Sequence, residues 1–120
     1  MTKATDPRLV GSGGGWIWFG YAGHLIMGSS CRFHLATYIP ERQLLVSTVG
    51  DYHPRGTDKR ETIGSGKDDF FETAVLRCEG IEPSGDPRIP SWDFLACRRY
   101  KTSLDAEKGH YEMLTTAGVQ

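Results

Sequence analysis

A chain of 120 residues with 14 basic and 15 acidic side chains has room for one hydrophobic core and carries a net charge of −1. That size and balance exclude a string of domains and the global positive field that drives nonspecific binding to nucleic acid. Any site for an anion must therefore be a local patch. Cys31, Cys78 and Cys97 are odd in number, far apart and without a CxxC pair, so neither a disulfide framework nor a structural zinc site is expected, and the thiols read as mostly packed side chains of a reducing compartment. Met1 to Gly15 contains no apolar signal core, and no run approaches the roughly 18 apolar residues of a membrane span. The expected location is the cytoplasm, with no membrane association.

In chain order, Gly11-Ser12-Gly13-Gly14-Gly15 has too much backbone freedom for a helix or strand and predicts a flexible lead-in over 1–15, followed by a single domain over 16–120. Trp16 to Tyr21 is aromatic and β-prone, and Gly23-His24 before Leu25-Ile26-Met27 predicts a turn into a second short strand. From Arg32 to Ile39 the pattern alternates, with Phe33, Leu35, Thr37 and Ile39 on one face and Arg32, His34, Ala36 and Tyr38 on the other, as in a half-buried strand. Pro40 takes the second position of a type I turn over Ile39-Pro40-Glu41-Arg42, which folds the chain straight back into a strand from Gln43 to Val49. Residues 53–69 then carry His53, Arg55, Lys59, Arg60 and Lys67 among Gly, Thr and Asp residues, with no hydrophobic period. A loop of that length inside a compact domain is functional or disordered.

Phe71 to Cys78 reads as a further strand, Phe71, Thr73, Val75 and Arg77 facing away from Glu72, Ala74, Leu76 and Cys78. Pro83, Gly85, Pro87 and Pro90 break any regular element over Gly80–Pro90, and Trp92 to Tyr100 fits either a strand or a bent loop docked on the core. Thr102 or Ser103 caps a helix whose first turn holds Asp105 and Glu107, complementary to the positive helix end. Leu104, Tyr111 and Leu114 share one stripe of that helix, with Ala106, His110 and Met113 beside it. Gly109 in its middle costs roughly 1 kcal/mol against alanine and so implies a close backbone approach. The sum is an α+β domain, a mainly antiparallel four- or five-stranded sheet with a C-terminal helix packed on one face. Its expected core is Phe33, Leu35, Ile39, Leu44, Val46, Val75, Leu104, Tyr111 and Leu114, and its strand edges predict a homodimer or higher oligomer.

No motif names a reaction. Ile63-Gly64-Ser65-Gly66-Lys67 looks like part of a phosphate-binding P-loop, but Glu61 stands where that motif needs a glycine, and Asp68 where it needs a magnesium-binding hydroxyl. The glycines at 11–15 precede the first strand, so they are no dinucleotide fingerprint. Cys31 with His34, or Cys97 with His110, could pair as nucleophile and base, but small packed thiols are the commoner case. His24, His34, His53 and His110 lack metal-ligand spacing. Asp51, His53 and Glu72 flank the loop at strand ends, where a scaffold holds acid and base groups rigidly. The bland alternative is that Asp51 caps a turn, Glu72 pairs with a nearby arginine and His53 is solvated. For binding, Arg55, Lys59, Arg60, Lys67 and Arg77 could converge on phosphates or carboxylates, with Trp16 or Trp18 stacking a base. Arg98-Arg99 with Lys101 forms a second basic cluster that faces solvent or a partner.

Trp16-Ile17-Trp18-Phe19-Gly20-Tyr21, Leu35-Ala36-Thr37, Val46 to Tyr52 followed by Pro54, Ile63-Gly64 and Phe71-Glu72-Thr73-Ala74-Val75 together resemble an uncharacterised family of small tailed-phage and prophage proteins. That family carries a similar STVGDY…P segment, a later YETMVF-like strand and a closing stretch like Trp92-Asp93-Phe94 through Gly109-His110-Tyr111. This chain differs in its short middle loop and in lacking the extra cysteines of some members. The resemblance implies a phage-encoded accessory protein in the bacterial cytoplasm that counters host defence by sequestering a small phosphate-bearing, nucleotide-type signal. The expectation is thus a non-enzymatic binder with its site at Trp16, Trp18, Asp51, His53, Arg55, Arg60, Lys67, Glu72 and Arg77. Neither a cofactor nor a metal is expected, and nucleic acid is not the expected partner. The alternatives are a protein inhibitor that presents the loop and the Arg98-Arg99-Lys101 cluster to a host defence protein, or a small hydrolase using Asp51, His53 or Glu72.

Overall fold

Alternation at period two builds a five-stranded sheet in which every strand lies antiparallel beside its neighbour in sequence. The strands are β1 (Ile17–Trp18), β2 (Cys31–Ile39), β3 (Leu44–Tyr52), β4 (Phe71–Arg77) and β5 (Ala96–Tyr100), and one helix, α1 (Ser103–Val119), closes the chain. The computed structural model describes residues 17–18, 31–54, 57–64, 66–84 and 86–119. The lead-in over 1–15, Trp16 and the strand predicted at Leu25–Met27 lie outside them, whereas Ile17 and Trp18 pair with Tyr38 and Thr37.

The β2–β3 hairpin closes on Pro40 as the sequence requires. The Arg42 N–H donates to the Ile39 carbonyl at 3.1 Å and the Gln43 N–H to the Pro40 carbonyl at 3.2 Å, and Gln43 enters the left-handed region with φ 53° before β3 begins. β3 then runs on past Val49, through a glycine. Gly50 fits a strand here because it stands between Phe33 and Phe71. A Cβ at Gly50 would collide with the Phe71 ring, which Phe33 meets edge-on at 5.3 Å between centroids. The aromatic neighbours cover the bare glycine backbone. The ambiguous segment after Pro90 divides. Ala96–Tyr100 pairs with Phe71–Val75, while Trp92, Phe94 and Leu95 stay exposed and do not enter the core.

Thr102 caps α1, its side-chain oxygen accepting from the Asp105 N–H at 3.1 Å. The stripe that meets the sheet is Ala106, His110, Met113 and Leu114, a spacing of four and three residues. Leu104 lies outside it at 72% exposure, against the expectation that it joins the core. The phase is set by residues with little hydrophobic signal: Gly109 lies so close to the Tyr100 ring that a Cβ would overlap it. Ala106 packs with Phe71 and Tyr100 at one end of the sheet, and Met113 and Leu114 pack with Ile39, Val46 and Val75 at the other. Between these apolar ends lies a polar layer. Thr48 and Thr73 sit opposite each other on β3 and β4 with their hydroxyls 2.6 Å apart. His110 Nδ1 lies 2.6 Å from the Thr48 hydroxyl and its Nε2 3.0 Å from that of Thr37. Desolvation by burial pushes the His110 imidazole down to about 3, so it is neutral at physiological pH.

The second sheet face is covered by irregular chain. Ile81 and Ile89 pack on Ala36, Tyr38, Leu45, Leu76 and Cys78. The segment bearing them folds on itself through the Glu79 N–H to the Arg88 carbonyl at 2.9 Å and the Arg88 N–H to the Gly80 carbonyl at 2.8 Å.

Gly109→Ala should gain helix propensity yet lower stability by about 1–3 kcal/mol through overpacking against Tyr100, whereas Leu104→Ser should change it by less than about 0.5 kcal/mol. Urea unfolding of both variants measures this. A second expectation concerns pH. Unfolded, His110 takes up a proton near pH 6.5, and folded it does so only near 3. Its contribution is therefore complete above about pH 6.5 and declines as pH falls towards 3, by up to about 1.4 kcal/mol per pH unit. The stability advantage of the native protein over His110→Gln should narrow at that rate on acidification, while other titrating groups cancel in the difference.

Candidate functional site

Antiparallel pairing brings the start of β2, the end of β3, the start of β4 and the end of β5 to one end of the sheet, and α1 begins there. An open cleft of about 510 Å³ lies at that end, with Arg32, Asp51, Arg60, Phe70, Lys101 and Ser103 on its walls and Phe33 and Phe71 beneath. Its volume falls within the range of small-molecule sites.

The charges reach the cleft from separate elements. Arg32 is the solvent-facing residue of the β2 alternation and has no carboxylate within ion-pairing distance among the described residues. Arg60 comes from the loop between β3 and β4, its guanidinium carbon 3.9 Å from the Phe70 ring centroid, a cation–π contact that fixes its direction. Lys101 precedes the helix cap, and its Nζ is 4.0 Å from the Asp68 carboxylate with both side chains exposed, a contact of little energetic weight.

Asp51 has a left-handed backbone, φ 55°, stabilised by its N–H donating to the Phe70 carbonyl at 3.1 Å. Its Oδ1 lies 2.9 Å from His53 Nε2, and His53 Nδ1 lies 3.0 Å from the Thr57 carbonyl. His53 is buried, not solvated. Both of its ring nitrogens face acceptors of the protein's own chain, and His53 is not among the described residues lining the cleft.

The described residues of the loop are tied by backbone hydrogen bonds and not by an apolar stripe. Glu61 N–H returns to the Tyr52 carbonyl at 2.9 Å, and Ile63 N–H donates to the Asp69 carbonyl at 2.7 Å. At the P-loop-like string, the Gly66 N–H donates to an Asp69 carboxylate oxygen at 3.2 Å, occupying a group that a phosphate would need.

The fold thus brings Asp51, His53 and Arg60 together and separates the rest. Glu72 is buried on the sheet face opposite α1, its Oε2 accepting from Arg99 Nε at 2.9 Å; an arginine partner was the bland expectation. Arg77 ends β4 beside Leu44, six residues and about 20 Å along the strand from Phe71. Lys67 is exposed in the loop. Trp18 pairs with Thr37, five residues and about 17 Å along β2 from Arg32, and Trp16 and Arg55 lie outside the described residues. Arg32, Phe70 and Ser103 were not among the expected site residues, and Lys101 was expected only in the partner-facing cluster with Arg98 and Arg99. Two signals pointed to them: Arg32 is the charged member of an alternating strand, and Lys101 adjoins the capping threonine.

Neither cysteine–histidine pair forms. Cys31 is buried while His34 is exposed, and Cys97 lies against Glu72 at 3.5 Å on the face opposite His110. Burial pushes the Cys31 thiol up to about 11, and partial burial followed by the negative charge of Glu72 pushes Cys97 to about 11. Among the described residues no group of three or more potential metal ligands occurs, and no helix is long and apolar enough to cross a membrane.

No protein-family model, no curated protein and no solved structure matches the chain. The class it defines is an α+β meander domain with a basic cleft where sheet, loop and helix meet.

Although Cys97 is exposed, its raised pKa leaves about one thiolate in a thousand at pH 8. Its alkylation by iodoacetamide, followed by mass spectrometry, should be slow there and accelerate about tenfold per pH unit towards 11. Cys31 and Cys78 should react only on unfolding.

Proposed function

We propose that this protein is a non-enzymatic binder of a small phosphate-bearing ligand, held in the cleft between Arg32, Arg60 and Lys101. One observation carries the reading: three cations from three elements border one open cleft, and the carboxylate among them, Asp51, is within ion-pairing distance of none of the three. Among the described residues Arg32 and Arg60 have no carboxylate within ion-pairing distance and Lys101 has only the exposed Asp68 at 4.0 Å, so the cations repel one another and an anionic ligand relieves that repulsion. Arginine suits phosphate because its planar fork donates two hydrogen bonds at once. The phage resemblance adds the biological context of this proposal, sequestration of a nucleotide-type signal of host defence.

The competing readings have less support. For an inhibitor presenting Arg98-Arg99-Lys101, the two arginines are already engaged with Glu112 at 3.1 Å and Glu72 at 2.9 Å. For a hydrolase, Glu72 lies on the far face of the sheet and His53 is buried with both nitrogens turned to acceptors of its own chain.

Pyrophosphate, ADP and a cyclic dinucleotide serve as probes in thermal melts and calorimetry. At least one should raise the melting temperature by mass action. Arg32→Ala, Arg60→Ala and Lys101→Ala should each weaken its binding by about 1.5–3 kcal/mol, the range of charge-assisted hydrogen bonds. Arg77→Ala and Lys67→Ala should change affinity by less than about twofold. Failure of every probe to bind at millimolar concentration would overturn the proposal.

A further inference from the structure

Among the described residues Asp51 is the one anionic side chain on the cleft wall, and a site built for bare phosphate would be better without it. Coulomb repulsion from a carboxylate a few ångströms away lowers the affinity of any simple anion. Nor does Asp51 neutralise the neighbouring cations, since no ion pair joins it to Arg32, Arg60 or Lys101. Instead the protein fixes its direction. His53, itself anchored to the Thr57 carbonyl, holds Oδ1 at 2.9 Å, and the left-handed backbone at φ 55° sets the side chain's exit. The Asp51 side chain keeps 31% of its exposure while the His53 side chain keeps 8%, so the carboxylate's free face is the part open to solvent.

A fixed carboxylate beside cations of which Lys101 alone has an ion-pair partner among the described residues, the exposed Asp68 at 4.0 Å, matches a ligand that carries hydrogen-bond donors next to its anion. We infer that the cleft reads a nucleoside monophosphate, with Arg32, Arg60 and Lys101 on the phosphate and Asp51 accepting hydrogen bonds from the ribose hydroxyls. His53 is a positioning residue for that contact. The cleft's volume of about 510 Å³ suits a ligand of this size and far exceeds what an inorganic anion fills. The inference rests on the cleft being an anion site and adds to it the reason the ligand is not a bare anion.

The test measures AMP, 2′,3′-dideoxy-AMP and inorganic pyrophosphate against the full chain by calorimetry. The native protein should prefer AMP over the dideoxy analogue by about tenfold, the effect of one hydrogen bond to a charged acceptor. Asp51→Gly tolerates a positive φ without strain. It should reduce that preference to within about twofold and at the same time tighten pyrophosphate, because a repulsive charge has gone. Asp51→Asn, which also tolerates the left-handed region, should tighten pyrophosphate likewise, so a glycine-specific loss of folding does not decide the result. His53→Gln should weaken the diol preference and leave pyrophosphate unchanged. A wild-type protein that binds pyrophosphate but does not distinguish AMP from its dideoxy analogue overturns this inference alone. Equal weakening of all three probes in both Asp51 variants also overturns it, by making Asp51 structural. A wild-type protein that binds none of the probes overturns the anion-site reading, and this inference with it.

Discussion

The contact on which the rest of the structure depends is the hydrogen-bonded layer of His110, Thr37, Thr48 and Thr73 beneath α1. A buried hydroxyl or imidazole without a partner costs about 1–3 kcal/mol, so the helix has one rotational setting in which all four groups are satisfied. Turning α1 to bury the more hydrophobic Leu104 stripe would withdraw His110 from Thr37 and Thr48 and leave the buried Thr37 hydroxyl without this partner. Specificity here comes from polar groups inside an apolar frame, and the frame itself, Ala106 on one side and Met113 with Leu114 on the other, would tolerate other phases.

That setting fixes the cleft. With His110 over Thr48, the first turn of α1 arrives above Phe71 and Tyr100, and Gly109 meets the Tyr100 ring without an intervening side chain. Thr102, Ser103 and Lys101 are thereby carried to the end of the sheet where β2 begins with Arg32 and β3 ends with Asp51. Gly50 performs the corresponding service in the sheet, making room for Phe71 beneath the same cleft. Two glycines that look like weak points of a strand and a helix are thus the places where aromatic rings enter.

The loop after β3 divides its labour between the two faces. Its first part returns to Tyr52 through Glu61 and delivers Arg60 to the cleft over Phe70. Its later part lies against Arg99, where a Cβ at Gly64 would strike the guanidinium group, on the side where Arg99 pairs with Glu72. Asp51 and Glu72 flank the same loop at adjoining ends of β3 and β4, yet the sheet separates them. Asp51 is half-buried beside the cations of the cleft and held by His53, whereas Glu72 is buried and paired with Arg99.

The sequence by itself determined the elements whose cause is local. Alternation gave the central strands their two faces, Pro40 set the hairpin, and Thr102 with an acidic first turn started the helix. Gly109 could also be read as a close approach, because glycine within a helix is costly unless something packs on it. Tertiary structure alone decided what depends on distant partners. The helix phase rests on His110 finding hydroxyls 62 and 73 residues away, and no periodicity of Ala, Gly and His announces that. Of the charged residues around the loop, Asp51, His53 and Arg60 converge because they share one strand end and its closing turns. Arg77 departs because seven residues of β4 carry it to the other end, and Glu72 departs because a strand turns successive side chains to opposite faces. Arg32 and Lys101 join the cleft through antiparallel pairing, which places residues far apart in sequence at one edge, and only the folded register contains that information.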